Sequence, residues 1–470
     1  MDVSRSDLTL ADNLRNFFEP KGIVIVGARK SFGFGYGLPP FLQNHGWGNR
    51  LHLVNPAGGK LHGQNVHKRV QDVPEPLDLA VVIVPADAVP GVMEEIGERG
   101  IKHAIIETAG FAETDETGKV LQERLKAIAV RYGMRVIGPN CVGVINTENR
   151  FATVELIEES LTPGPVSIIA QSGVFGNILL DHLPRYGLFI SKAVTLGNRL
   201  DVDESELLEY LNEDRSTRVI MVYLEGAANG PRLVKSLAKA TQHKPVVILK
   251  SGRTPTGKQA TASHTGSLSG QDHIYDAVFA QTGAIRADTF SELIDVVRVF
   301  ATQPLPKGNR LGVITTSGSL GALATDVAVS GGLTMPPLSP FTLSQARDIA
   351  PDWMNVRNPL DLGPSQKFNQ LLPMLLADSE IDMVLAIMVL PYAAIRNLKS
   401  AGVAARDLFG DIASVREQYP GKPLVGVVVG HPEFVQDIVS ICGPSIPIFG
   451  SPEPAAKALA TLWRYSKMHN

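Results

Sequence analysis

The sequence predicts an α/β protein of three doubly wound, parallel-sheet domains. Three observations carry that expectation. Short apolar runs free of charge and rich in Val and Ile recur along the chain, bounded by Gly or Pro; such runs are strands buried on both faces. Stretches of helical period separate them, and alternating strand and helix is the pattern of a parallel sheet. The chain also echoes itself, since Ile169-Ala-Gln-Ser-Gly-Val-Phe-Gly176 aligns with Ile314-Thr-Thr-Ser-Gly-Ser-Leu-Gly321. At ~150 residues per domain, 470 residues suggest about three. The expected domains are 1–147, 148–303 and 304–470, with the proline-marked linker Thr302-Gln-Pro-Leu-Pro-Lys-Gly-Asn309 before the last.

In the first domain, residues 12–19 read as a lead-in helix and Gly22-Ile-Val-Ile-Val-Gly27 as a buried strand. The glycine-rich turn Ala28-Arg-Lys-Ser-Phe-Gly33-Phe-Gly35-Tyr-Gly37 follows. Strand, glycine turn and helix form a Rossmann-like nucleotide-binding opening, although the spacing departs from GxGxxG. The strand Leu51-His-Leu-Val-Asn55 ends at Pro56 without the acidic residue that would hold a ribose hydroxyl, which disfavours NAD. Residues 79–85 form a strand ending at Val84-Pro85, and 87–99 a helix. His103-Ala-Ile-Ile-Glu107 is a strand ending at Thr108-Ala109-Gly110, and 116–132 a charged helix. Arg135-Val-Ile-Gly-Pro-Asn140-Cys141-Val-Gly143 closes the domain. Ligand is expected at the carboxyl ends of these strands.

The second domain opens with Val166-Ser-Ile-Ile-Ala170, the turn Gln171-Ser172-Gly173-Val174 and a helix over 177–186. Further strands fall near 190–196, 218–224 and 245–250, and helices near 203–213, 231–241, 271–282 and 289–301. The third domain repeats the opening with Leu311-Gly-Val-Ile-Thr315 and Thr316-Ser317-Gly318, then strands at 382–390 and 423–429 and a helix at 453–467.

The chain is 44% hydrophobic and 19% charged, enough to build sizeable cores, and its net charge of −3 argues against broad nucleic-acid or anionic-membrane binding. No window reaches the ~18–20 apolar residues of a membrane span. The start, Met1-Asp-Val-Ser-Arg-Ser-Asp, lacks an apolar signal region, so a soluble cytoplasmic protein is expected. Two distant cysteines, Cys141 and Cys442, give neither a disulfide framework nor a zinc site. No metal site is expected.

Each Ser-Gly turn places a helix N-terminus after a parallel strand, where free N–H groups and the helix dipole favour an anion. Ser172, Gly173 and Val174, with Ser317 and Gly318, are therefore phosphate-binding candidates, and the two turns could clamp one phosphate. Glu225 ends the buried run Val219-Ile-Met-Val-Tyr-Leu-Glu225, where a carboxylate could orient an imidazole. That imidazole is His264, on the small-residue run Gln259-Ala-Thr-Ala-Ser-His-Thr-Gly-Ser-Leu-Ser-Gly270, which reads as a surface loop. Gly252-Arg-Thr-Pro-Thr-Gly257-Lys258 has phosphate-loop spacing, but Gln259 stands where Ser or Thr must bind Mg²⁺ and Pro255 removes a donor. It reads as a flexible basic loop leading to His264. Cys141 has no activating base nearby in sequence and reads as a packed residue beside a ligand site.

With these residues in place, the chain resembles, over nearly its whole length, the α subunit of the NDP-forming acyl-CoA synthetases, and more distantly that of succinyl-CoA synthetase. The resemblance rests on the domain order, Gly138-Pro-Asn-Cys-Val-Gly143, Gln171-Ser-Gly173, Glu225 and Ser263-His-Thr-Gly-Ser-Leu-Ser-Gly270. The third domain resembles the ligase domain that succinyl-CoA synthetase keeps on its β subunit, at Thr315-Thr-Ser-Gly-Ser-Leu-Gly321 and Asn358-Pro-Leu-Asp361. It implies a Rossmann-like CoA-binding domain followed by two flavodoxin-like ones. It also implies an ADP-forming acid–thiol ligase that works through an acyl phosphate, with His264 phosphorylated and Glu225 orienting it. CoA would lie on the first domain, against Gly27, Ala28, Arg29, Asn55, Pro56, Val84, Pro85, Thr108, Ala109, Asn140 and Cys141, apart from the two phosphate turns. The 29–37 turn is longer and more aromatic than the family's usual one. Inorganic phosphate is a further ligand. ATP or ADP, with Mg²⁺, would bind mainly on a partner ATP-grasp β subunit in an α2β2 heterotetramer, since nothing in these 470 residues resembles that domain. The competing reading is a non-catalytic CoA- or nucleotide-sensing protein on the same fold.

Overall fold

The protein is described from a computed structural model, which covers residues 10–469 except 30–32, 34, 157, 266–269, 355 and 364. The chain forms two compact units, residues 1–289 and 290–470.

Among the described residues, the first unit holds two sheets of seven strands. In the first sheet, the fully buried Ile23–Val26 lies between Leu51–Val54 and Leu79–Val82, and His103–Ile106 and Arg135–Ile137 extend one side. All of these pair in parallel, and the register is flush: Val26 sits opposite both Val54 and Val82, and Val82 opposite Ile106. Their carboxyl ends therefore finish along one rim. The winding direction reverses beside Ile23–Val26, which makes that rim a switch point where ligands bind. A hairpin, Gly59–Leu61 with Gln64–His67, forms the far edge. The sequence hides it, because most of its residues are exposed or half-buried and show no apolar run.

The helices end where local chemistry says they should. Glu116–Tyr132 starts at Asp115, whose carboxylate accepts from Gly118 N, and stops at Gly133 in the left-handed region at φ 62°; such caps contribute about 1 kcal/mol. Val89–Glu98 and Glu116–Tyr132 bury Met93, Ile96, Leu125 and Ile128 in one core with Val24, Val82 and Ile106. Each such side chain contributes roughly 1.5–3 kcal/mol on burial.

The second sheet runs Ile285–Ala287, Val246–Lys250, Val219–Leu224, Val166–Ala170 and Ile190–Thr195 in parallel, then Gly143–Asn146 and Phe151–Ala152 antiparallel. The helix expected over 177–186 begins directly at the turn, as Gly173–His182, because Ser172 caps it. The lead-in helix Leu10–Phe18 places Phe18 in a stack on Tyr210, with ring centroids 4.9 Å apart, and Phe17 edge-on to His103.

The second unit is one parallel sheet in the order Leu360–Asp361, Leu311–Thr315, Met383–Leu390, Leu424–Gly430 and Ile448–Phe449. Helix Phe290–Thr302 packs on Pro452–His469, and Lys457 Nζ reaches Glu292 at 2.8 Å. The opposite core gathers Leu371, Leu372 and Leu375 with Phe409, Phe434 and Ile438. Its helices Pro340–Ile349 and Pro432–Cys442 carry proline in the first turn, where the missing N–H costs no helical bond.

Candidate active site

The flush register of the first sheet brings its strand-end residues to one cavity of about 920 Å³. Gly27, Arg29, Asn55, Pro56, Val84, Pro85, Thr108, Ala109, Asn140 and Cys141 all line it. Ala28 stands behind the wall, its carbonyl accepting from Asn55 Nδ2 at 2.8 Å. Thr108 Oγ1 donates to Val84 O at 2.7 Å, and Asn140 N to Thr108 O at 2.9 Å, so neighbouring strand-end loops hold one another. Gly27 has φ 104°, and a Cβ there would collide with Ile83 O, so glycine alone permits this close strand exit.

Ser172 and Gly173 line the same cavity. This corrects the expectation that the Ser-Gly turn stands apart from the CoA residues. The cause is residues 138–142, which leave the first sheet and enter the second as Gly143–Asn146; Val142 N donates to Thr195 Oγ1 at 2.7 Å. Ser172 Oγ accepts from Phe175 N at 3.4 Å, so its hydroxyl is already partly engaged in capping the helix.

Sequence reasoning missed Glu107, Lys68 and Gln171. Glu107 lines the cavity, is 5% exposed, and its Oε1 has no hydrogen-bond partner. Burial pushes its carboxyl well above the usual carboxylate range, and a hydrogen bond from Thr153 opposes that only in part. Burial, aided by Glu107, also pushes up the Cys141 thiol, which donates to Ile106 O at 3.4 Å. Cys141 is thus a packed thiol rather than a thiolate nucleophile. The signal for Glu107 was available, for it is a carboxylate ending a buried parallel strand, as Glu225 is. Lys68, with Arg29, adds exposed positive charge to the lining.

Gln171 ties this cavity to Glu225. Its Oε1 accepts from Glu225 N at 2.6 Å and Gly226 N at 3.0 Å, while its Nε2 donates to Gly226 O at 2.8 Å. Glu204, fully buried, accepts from Gln171 Nε2, Arg199 Nη1 and Ala228 N. Glu225 itself is 3% exposed and stands behind the cavity, not in its lining.

The side chains of His264 and Val174 lie outside the described residues, as do residues 266–269 entirely. The backbone at His264 corrects one expectation: the small-residue run is helical through Thr265, in a helix Pro255–Thr265. Pro255 suits a first helical turn, Thr254 Oγ1 accepts from Gly257 N at 3.0 Å, and Ala260 and Ala262 favour helix. The same helix absorbs Gly257 and Lys258, so the segment is neither a phosphate loop nor a flexible basic loop.

In the second unit, Ser317 and Gly318 open helix Gly318–Ser330. Ser317 makes no capping bond and pairs its Oγ with Ser319 Oγ at 3.1 Å. The Asp361 carboxylate stands against Gly318, beside a second cavity of about 470 Å³ that Arg357 and Trp353 also line. Among the described residues, no group of three His, Cys, Asp or Glu is arranged to hold a metal ion. No helix among them is long and apolar enough to cross a membrane.

Comparison with known proteins agrees with this architecture. Residues 21–147 match the CoA binding domain family, and residues 163–300 the succinyl-CoA ligase like flavodoxin domain family. The chain is 35% identical to the acetate–CoA ligase [ADP-forming] II subunit alpha of Pyrococcus furiosus, covering 96% of this chain and 97% of that one. It is 34% identical to the acetate–CoA ligase [ADP-forming] II of Archaeoglobus fulgidus, covering 98% of this chain and 68% of that longer relative. The solved dinucleotide forming acetyl-coenzyme A synthetase 1 of Ca. Korarchaeum cryptofilum, in complex with phosphate and ADP, superposes with a TM-score of 0.88 at 30% identity, over 97% of each chain. A CoA-binding domain joined to a succinyl-CoA ligase-like domain around one strand-end cavity is the framework of an acid–thiol ligase. The chain belongs to the ADP-forming acyl-CoA ligases, and it matches their α subunits end to end. The purely regulatory reading is not favoured, since these relatives are named as ligases.

Proposed function

We propose that this chain is the CoA-binding, phosphoryl-carrying subunit of the ligase, with His264 as the phosphoryl carrier and Glu225 as its orienting carboxylate. The observation that carries this reading is the shared cavity: the Ser172-Gly173 helix terminus and the strand-end CoA candidates line one space. An acyl phosphate held at that terminus would lie within reach of a thiol entering along the strand ends.

A carboxylate oxygen of the acid attacks the phosphorus of phosphohistidine, the N–P bond breaks, and an acyl phosphate forms. The CoA sulfur then attacks the acyl carbon, the C–O bond to phosphate breaks, and inorganic phosphate leaves. In its ionised form Glu107 would take the thiol proton, as a stronger base than an ordinary carboxylate because burial raises it. Backbone N–H groups at Gly173 face the developing phosphate charge. Arg29 and Lys68 would bind the phosphates of CoA.

We assign ATP, ADP and Mg²⁺ to an ATP-grasp β subunit in a cytoplasmic α2β2 assembly, and phosphate binding also to the second Ser-Gly turn, Ser317-Gly318. The substrate would be a small carboxylic acid; relatives are named for acetate and 4-hydroxybutyrate. The test is incubation of the complex with labelled ATP and Mg²⁺. The label should be acid-labile, base-stable and absent from His264→Ala. Label that persists in His264→Ala would sink the assignment.

A further inference from the structure

Lys250 is a buried cation whose presence packing does not explain. It ends strand Val246–Lys250 in register with Leu224, the residue before Glu225, and Ser251 N donates to Leu224 O at 3.0 Å. It is 2% exposed. Its Nζ donates to Ser251 O and sits 4.7 Å from the centroid of the Tyr275 ring. Among the described residues no carboxylate forms an ion pair with it; Asp272 is engaged with Arg286 at 2.8 Å and Arg253 at 3.7 Å. A carbonyl and a ring recover only part of the cost of burying an ammonium. A hydrophobic side chain of similar size would stabilise the fold better.

Tyr275 is the other half of the arrangement. Its hydroxyl accepts from Ala227 N at 3.0 Å, directly after the Glu225 and Gly226 amides held by Gln171. On its other side it packs against Gly270, where a Cβ would lie 3.3 Å from Tyr275 Cε2. Lys250 and Tyr275 thus join the backbone around Glu225 to both ends of the 251–270 segment that carries His264.

We propose that Lys250 is a positioning residue for phosphoryl transfer: bonded to Ser251 O and seated on the Tyr275 ring, its ammonium fixes the start of the segment that carries His264 against the backbone around Glu225. The proposal deepens the phosphohistidine reading and rests on it. The groups that act on Lys250 are Glu225 after strand Val219–Leu224, Asp272 and Tyr275 on helix Asp272–Thr282, Arg286 on Ile285–Ala287 and Lys258 on Pro255–Thr265. Burial dominates and lowers the ammonium to about 8; Asp272 and Glu225 pull it up, while Arg286 and Lys258 push it down. The protonated form is the working one, so transfer should fall as pH rises through about 8.

The test uses the chain with its nucleotide-binding subunit, ATP and Mg²⁺, and follows phosphate incorporation from about pH 6 to about pH 10. Wild type should lose rate on the alkaline side. Lys250→Met should be at least about tenfold slower at pH 7, show no alkaline fall of its own, keep its CoA affinity and melt a few degrees higher. Lys250→Arg should keep most of the rate and hold it at higher pH, because guanidinium stays charged. A Lys250→Met complex with wild-type rate and pH profile overturns the proposal. So does a slower one that melts lower and binds CoA more weakly, which would make Lys250 structural. A wild-type complex that takes no phosphate on His264 overturns the phosphohistidine reading, and this proposal with it.

Discussion

At the scale of single residues, Glu107 is the sharpest case. A carboxyl raised by burial holds its proton to higher pH in the folded chain than in the unfolded one. Its contribution to stability is therefore full at acid pH and is lost as pH climbs above the ordinary value of 4.5 toward the raised one. Glu107→Gln should match wild type in thermal melting at acid pH and exceed it at neutral pH. The same variant should lose at least about 100-fold in thioester formation, with CoA affinity within about twofold. A variant that forms thioester at the normal rate would remove Glu107 from the chemistry. Residues at strand ends were legible in the sequence because a charge or a glycine after an apolar run stands out, as at Gly27, Asn55 and Glu225. Lys250 was not legible. It closes the strand expected near 245–250, and nothing in Val246-Val-Ile-Leu-Lys250 marks it as buried or as seated on Tyr275.

At the scale of elements, the two Ser-Gly turns look alike in sequence and differ in surroundings. A Cβ on Gly173 would approach Val142 Cγ2 to 2.8 Å, against the segment that also carries Asn140 and Cys141. Gly173→Val should therefore lower both CoA affinity and His264 phosphorylation, each by about tenfold or more. Gly318→Val would press on the Asp361 carboxylate instead, and should slow phosphorylation by about tenfold while leaving CoA affinity nearly unchanged. Calorimetry with CoA and a phosphorylation assay on folded variants check both. Normal phosphorylation in Gly318→Val would take the second turn out of the phosphate site. Elements with capping residues or unbroken apolar runs were read to within a few residues, as for Glu116–Tyr132 and Val166–Ala170. The exposed hairpin Gly59–Leu61 with Gln64–His67 was not, and the helix Pro255–Thr265 was taken for loop because small residues suit either state.

At the scale of the molecule, the isolated chain should bind CoA through its strand-end cavity and form no thioester from ATP until an ATP-grasp subunit is added. Robust ATP-dependent turnover by the pure chain would overturn that division of labour. The alternation of strand and helix made the three sheets foreseeable, but not how the first two are sewn together. Residues 138–142 pass from one cavity wall into Gly143–Asn146 of the second sheet, and Asn146 and Asn149 donate back to Phe18 O at the end of the lead-in helix. For recombination between relatives, this stitching moves the safe crossover points. A graft that carries residues 21–147 as a cassette would bring a foreign strand, Gly143–Asn146, into the recipient's second sheet and would part Phe18 from Asn146 while Asn149 stayed with the host. Joints placed near residue 20 and before Gly138 would leave that strand, and the helix seated against it, with the host.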